Sequence, residues 1–491
     1  MKKIYKYVFA TVLASFMSLT ACENFLDVNT DPNNPAVSTP ELTLPVGQGE
    51  LAYVLGNQFQ FLGNFFAQHW TQAGAANQYC VLELYEIQSS SYDARVWGEL
   101  YAGALNDFRF VADEATLNEQ SNYAAIGEIM QVYTIQVITD AWGDVPASAS
   151  LQGLENLNPE YQPQEEIYND LISRLDAAIA LIDPNADSPA RDDLVFNGDM
   201  NLWTKFANTL KLKIFLRQAY VRPDVAQSGI QAMYSAGAQF LDIGETADVE
   251  FADQTQNRNP FYQTQVVFRG GVDVVASNTV LNYLQDTNDP RIDEFFAPVE
   301  SGAGAGNFVG VDQGVECTPE RTGNQANTVS KPGPAVASPT TAIPLITAAE
   351  SYFLQAEAVA RGWTNGAGTA SELYAQGIRA SFDYVGEDAA SVTAFLQRPG
   401  VVYPTGAAVE EQVEQIITQK WVSFSGVQGF EAWTEYRRTG YPSFIEPSAA
   451  STLGAGIIPK RLVYPNTEAT RNTSYPGLVE TTVPVWWDVK D

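Results

Sequence analysis

Histidine is almost missing from this 491-residue chain: His69 is the only one. A histidine-based zinc centre needs several imidazoles, and a serine or cysteine hydrolase would have to be built around this single ring. Cysteine is nearly as scarce, with three residues in no CxxC or ligand-like spacing. Basic residues are few, 27 Lys and Arg against 58 Asp and Glu, for a formal charge of −31. So negative a chain repels nucleic acid and anionic lipid surfaces, which excludes a DNA or RNA partner. Strand-like alternation is also rare, and its best example is 479–483, closed by Pro484. Carboxylate-pair glycosidase chemistry needs no histidine, so composition leaves it open. With 45% apolar and 12% aromatic residues, the chain has ample material for a folded core.

What is present begins at the N-terminus. Lys2, Lys3 and Lys6 precede an apolar run over 8–19, which is too short to span a membrane comfortably. Leu19-Thr20-Ala21-Cys22 closes it in the manner of a bacterial lipobox. The expectation is a signal peptide over 1–21, lipidation of Cys22 and a mature chain of 22–491 held at a membrane by buried acyl methylenes. An ordinary signal peptide with a chance cysteine is the plain alternative. After lipidation Cys80 and Cys317 remain, and outside the cytoplasm they are free to pair or not.

Helical periodicity dominates the rest. Over 164–183, Ile167, Leu171, Leu175, Ala178 and Ile182 form one apolar stripe, with Glu165 and Glu166 favouring the first turn and Asp183-Pro184 stopping it. Similar stripes run through 94–115, 122–142, 202–220, 348–361, 371–382 and 411–424. Ala356, Ala358 and Ala360, then Tyr374, Gly377 and Ala380, carry the small-residue spacing of tetratricopeptide-like helix pairs, without a strict repeat. The fold class is mostly α, with degenerate helix pairs, irregular loop insertions and a few short strands. From 299 to 340 glycine, proline, serine and threonine replace the stripes, and the simplest reading is a long flexible linker. Its Gly302–Gly306 run is no phosphate cradle, because no strand precedes it and no Lys-Ser/Thr follows.

Several segments, in order, resemble the SusD/RagB family of outer-membrane nutrient-binding lipoproteins. After Cys22 comes the turn-rich stretch 24–35, Asn-Phe-Leu-Asp-Val-Asn-Thr-Asp-Pro-Asn-Asn-Pro, an expected membrane tether within 22–40. Gly143-Asp144-Val145-Pro146, Asp289-Pro290-Arg291, 350–362, 374–381, Gln419-Lys420-Trp421, 429–433, 437–442, Ile458-Pro459-Lys460-Arg461, Tyr464-Pro465 and 485–488 complete the set. The resemblance implies a SusD-like domain over 22–491 that binds rather than catalyses. It also implies capture of oligosaccharides for a TonB-dependent transporter of the SusC type, at the cell surface and with no cofactor. A peptide-binding member of the same family and a surface glycoside hydrolase are the alternatives. The Asp27-x-Asn29-x-Asp31 start is rejected as a calcium loop, since Pro32 stands where glycine is needed and no closing glutamate follows.

The motif residues themselves read as structural. Asp144 suits turn hydrogen bonds, and Glu431, Arg437 and Arg438 suit charge-assisted bonds between C-terminal helices. His69 suits a helix end, and Trp97, Trp142, Trp203, Trp363, Trp421 and Trp433 suit the core. Ligand contacts are expected instead from two loops that mix amides with aromatics off any stripe. The first supplies Trp70, Gln72, Asn77, Tyr79 and Tyr85, and the second Asn257, Phe261, Tyr262 and Arg269.

Overall fold

The computed structural model describes residues 38–490 except 367 and 455; Cys22 and the tether up to 37 lie outside them. Pro40, at the first helical position where a missing N–H costs nothing, opens helix α1 (Pro40–Gly56). Its successors are α2 (Gln58–Phe66), α3 (Asn106–Leu117), α4 (Ser121–Trp142), α5 (Gln164–Leu181), α6 (Met200–Arg217) and α7 (Pro223–Ser235). Then come α8 (Asn278–Asp286), α9 (Ala348–Ala360), α10 (Ala370–Val385), α11 (Val409–Ser423) and α12 (Gly429–Thr439), besides shorter helical turns. Each stripe read from the sequence is one of these helices, except that 94–115 divides into a π-helical turn (Asp93–Leu105) and α3. The fold is mostly α, as the periodicity implies.

Successive helices pack against one another, α3 with α4, α6 with α7 and α9 with α10. Two pairs share one device. A β-carbon at Gly377 of α10 would lie 2.8 Å from the Phe353 ring of α9, and one at Gly229 of α7 would lie 2.2 Å from the Phe215 ring of α6. Glycine on one helix thus admits an aromatic ring from the other, which is the packing content of the degenerate repeat. Ala356 is fully buried, in keeping with close helix approach.

The pairs are joined by a buried ionic network. Lys213 of α6 bonds Glu431 of α12 at 2.9 Å and Glu350 of α9 at 3.1 Å. Arg217 reaches Glu431 at 2.6 Å, Glu435, and Asp140 of α4 at 3.3 Å. Arg438 grips Glu357 of α9 at 2.6 Å and Glu435 at 2.7 Å, while Lys420 of α11 meets Glu435 at 3.2 Å. Glu431 and Arg438 therefore do lock the C-terminal helices. Arg437 serves through carbonyls, those of Asp140 and Lys460, and lies over the Trp433 ring. The other motifs are structural too. Asp144 accepts from the Gln164 backbone N–H that opens α5, and the buried Arg291 closes on Asp289, Ser381 and Gln419.

Two expectations fail. Residues 479–483 form no strand; a single bond from Lys460 N–H to the Thr481 carbonyl is the only ladder-like contact among the described residues there. The strands are instead β1 (Trp70–Gln72), β2 (Ala247–Val249), β3 (Val274–Ala276) and β4 (Ile343–Ile346), paired antiparallel as β1–β3 and β2–β4. Nor is 299–340 a linker. It is irregular but packed, with Val311, Glu316, Val329 and Ser330 buried. Its backbone bonds run from Ala276 N–H to Ser330 and from Val311 N–H to Ala276. No described helix is long and apolar enough to cross a membrane.

Candidate functional site

The β1–β3 pair sets the site. Trp70 lies opposite Ala276 and Gln72 opposite Val274, so the loop after β1 runs beside the loop before β3. The two loops singled out in the sequence are neighbours although nearly two hundred positions separate them. A disulfide between Cys80 and Cys317, their Cα atoms 5.4 Å apart, ties the first loop to the 299–340 excursion. Glu316 beside it gathers its own turn, accepting from Gly323 N–H at 2.8 Å and from Asn324 at 3.0 Å. Gly74 is pressed against this turn; a β-carbon there would lie 2.3 Å from the Glu316 carboxylate.

The candidate residues divide between core and rim. Trp70 is fully buried and stacks on Phe261, centroids 4.7 Å apart, so both rings pack the interior and present no face to a ligand. Gln72 is buried as well. Its amide donates to the Ala73 and Asp273 carbonyls and accepts from Tyr79 N–H at 2.7 Å, which makes it a loop brace. Tyr85 is buried edge-on to Phe66, with its hydroxyl accepting from Ser448 N–H. These four correct the expectation of ligand contact: an aromatic or amide off a helical stripe is also what a short buried strand and its flanks supply.

Asn77 and Asn257 are exposed, and Tyr262 is half-buried. Tyr79 is half-buried, stacked on Phe61 at 4.6 Å. Arg269 holds Asp273 at 2.7 Å, and both charges act on Tyr79. Burial pushes the Tyr79 phenol up, Asp273 adds to that and Arg269 opposes it. Tyr79 and Arg269 therefore come together on one rim. His69 sits at the end of α2 as expected, bonded to Asn64 at 2.9 Å and packed on Trp421; burial lowers its pKa to about 3.

A cleft of about 410 Å³, lined by none of these rim residues, opens over α8. One wall is α8, which β3 delivers through the Ser277 cap and which presents Asn278, Asn282, Tyr283 and Asp286. Asp312 and Gln313 of the excursion form a second wall, and Phe444 a third. The Tyr283 and Phe444 rings stack at 5.7 Å with 22° between planes, and Phe444 is 43% exposed. The Tyr283 hydroxyl donates to the Gly400 carbonyl and accepts from Gln419; burial pushes its pKa up to about 12. Asn278 donates to Asp312 at 2.6 Å. An apolar ring edge flanked by amides and carboxylates can stack on C–H surfaces and pair hydroxyl groups without any nucleophile. Sequence reading missed Tyr283 and Phe444. Tyr283 stands off the Val280, Leu281 and Leu284 stripe, and Phe444 follows Pro442 in a loop, so the off-stripe signal was there.

Comparison with known proteins agrees with this architecture. A family model described as SusD-like, starch-binding and associating with the outer membrane matches residues 32–465. A solved chitin-binding protein, 26% identical, superposes with a TM-score of 0.76 over 90% of this chain and 100% of its own. A SusD homolog from Bacteroides uniformis, 25% identical, gives 0.76 over 91% and 99%. For a chitin-binding SusD homolog from Flavobacterium johnsoniae, 24% identical, the TM-score is 0.74 over 91% and 99%, a likeness of fold. No curated protein matches. With the family model spanning most of the chain and the fold shared nearly end to end, the protein belongs to the SusD-like family.

Proposed function

We propose that this protein captures a neutral oligosaccharide in the Tyr283–Phe444 cleft and passes it to a SusC-like TonB-dependent transporter, held at the outer membrane by acylated Cys22. The observation that carries the reading is the cleft itself, with its stacked aromatic edge among Asn278, Asn282, Gln313, Asp286 and Asp312. Asn77, Tyr79, Asn257, Tyr262 and Arg269 add rim contacts outside it. Charge favours a neutral ligand. Burial takes Lys213, Arg217, Arg291, Lys420, Arg437, Arg438 and Arg461 off the surface together with eleven carboxylates, Glu83 and Asp140 among them, so the surface stays strongly acidic. Relatives of this family are described by starch or chitin binding, and both polymers are neutral.

A titration screen of maltohexaose, chitohexaose, acidic glycans and peptides tests the reading. A neutral hexaose should bind and be recovered intact, whereas released reducing ends would favour the hydrolase alternative and a peptide preference the peptide-binding one. Anchoring has its own test. Cys22→Ala should abolish partitioning into outer-membrane fractions in cells lacking the transporter, because the thiol that takes the acyl chains is gone. A variant that still fractionates with membranes would overturn the anchor.

A further inference from the structure

Gln313 is 9% exposed, and its two amide ends have opposite circumstances. The nitrogen faces four acceptors: the Phe65 carbonyl at 3.2 Å, the Trp70 carbonyl at 3.1 Å, and the Glu83 carboxylate at 3.1 and 2.9 Å. A flipped amide would set its oxygen against all four, so the orientation is fixed. The oxygen, by contrast, has no hydrogen-bond partner in the protein, although the residue forms a wall of the cleft. A buried carbonyl oxygen left unpaired loses free energy unless something donates to it.

We propose that Gln313 reads the ligand as a fixed hydrogen-bond acceptor, and that Glu83 is the positioning residue that fixes it. This rests on the glycan reading above and sharpens it. The bound unit must place a hydroxyl or amide N–H against Gln313, and a unit offering only an acceptor there is rejected.

Glu83 is 1% exposed and is held without a cation. It accepts from the Thr71 hydroxyl at 2.6 Å and Gln72 N–H at 3.2 Å as well as from Gln313. Titratable groups on the segments packed around it are His69, Tyr85, Tyr436, Asp312, Glu316 and Glu446. His69 stays neutral above pH 3 or so, since burial lowers its pKa to about 3. Burial, outweighing the hydrogen bonds, raises the Glu83 pKa to about 7. Once protonated, Glu83 offers an O–H where it had offered a lone pair, and the lock on Gln313 loosens. The sign for stability is the reverse. A folded pKa raised from 4.5 to about 7 means that the native state gains stability as pH falls from 8 to 6.

The experiment is calorimetry of maltohexaose and chitohexaose against wild type, Glu83→Gln and Gln313→Leu at pH 8 and 6, with thermal melts of each. Wild-type affinity should fall about three- to tenfold on going to pH 6, the worth of one net hydrogen bond. Relative to Glu83→Gln, wild-type melting should meanwhile rise. Both variants should bind more weakly at pH 8 and show no such pH dependence. A purely structural role would move melting and affinity together. Binding that is indifferent to pH, or a Glu83→Gln protein that binds like wild type at both pH values, overturns the assignment alone. Failure of both sugars to bind wild type at pH 8 overturns the glycan reading and this assignment with it.

Discussion

Replacing Arg438 with methionine should destabilise the fold by about 3–5 kcal/mol, because it takes from two buried carboxylates the cation they share. Arg438 is fully buried and donates to Glu357 at 2.9 and 2.6 Å, to Glu435 at 2.9 and 2.7 Å, and to the Leu216 carbonyl at 3.2 Å. Methionine fills much of the volume but returns none of those bonds. Lys420 and Arg217 would still face Glu435, whereas Glu357 would keep only Arg361. The pH dependence follows from the same groups. Despite burial, neighbouring cations hold the carboxyls of Glu357, Glu431 and Glu435 below their usual value of 4.5. Their contribution is therefore present above pH 4.5 and is lost as pH falls through their depressed values. Denaturant unfolding of wild type and Arg438→Met at pH 7 checks the magnitude. A loss under 1 kcal/mol or so would mean that the network does not join the helix pairs as described.

Removing the Cys80–Cys317 bridge should cost about 2–5 kcal/mol, since the link closes a span of 237 residues that an unfolded chain would otherwise explore freely. Its location directs the loss to the proposed binding face. The bridge holds the Asn77–Tyr79 rim against the segment that carries Asp312, Gln313 and Glu316. A Cys80→Ser/Cys317→Ser protein should therefore show faster amide exchange around 73–92 and 312–324 than in α9 and α10. It should also bind sugar more weakly at temperatures where it is still folded. Uniform loosening of the whole molecule would show that the bridge supports the fold generally and not this face.

The contrast between these two places explains how much of the molecule was legible. Helices were readable because their stripes repeat every 3.6 residues and extend over many turns, as Ile167, Leu171 and Leu175 do in α5. Motif order carried the family, and residue types alone gave Glu431 and Arg438 their structural parts. Three-residue strands give no such signal. Trp70 and Gln72 looked like ligand residues because nothing local marks β1 as buried; its burial comes from pairing with Val274–Ala276, far away in sequence. The excursion misled for a similar reason. Its glycines and prolines suggest mobility, while the contacts that fix it, Cys80, Glu83 and Ala276, lie outside it. Tyr283 and Phe444 were missed because two aromatics from distant segments become an edge only when the fold stacks them.

Calorimetric titration of the cognate neutral hexaose into wild type and Phe444→Ala tests the central claim most directly. Phe444 is 43% exposed and not part of the ionic network, so the variant should fold normally. An aromatic stacking partner is worth about 0.5–1.5 kcal/mol beyond burial, so affinity should fall about two- to tenfold with the melting temperature unchanged. Undiminished affinity in folded Phe444→Ala would contradict the account and remove the Tyr283–Phe444 cleft as the place where sugar is held.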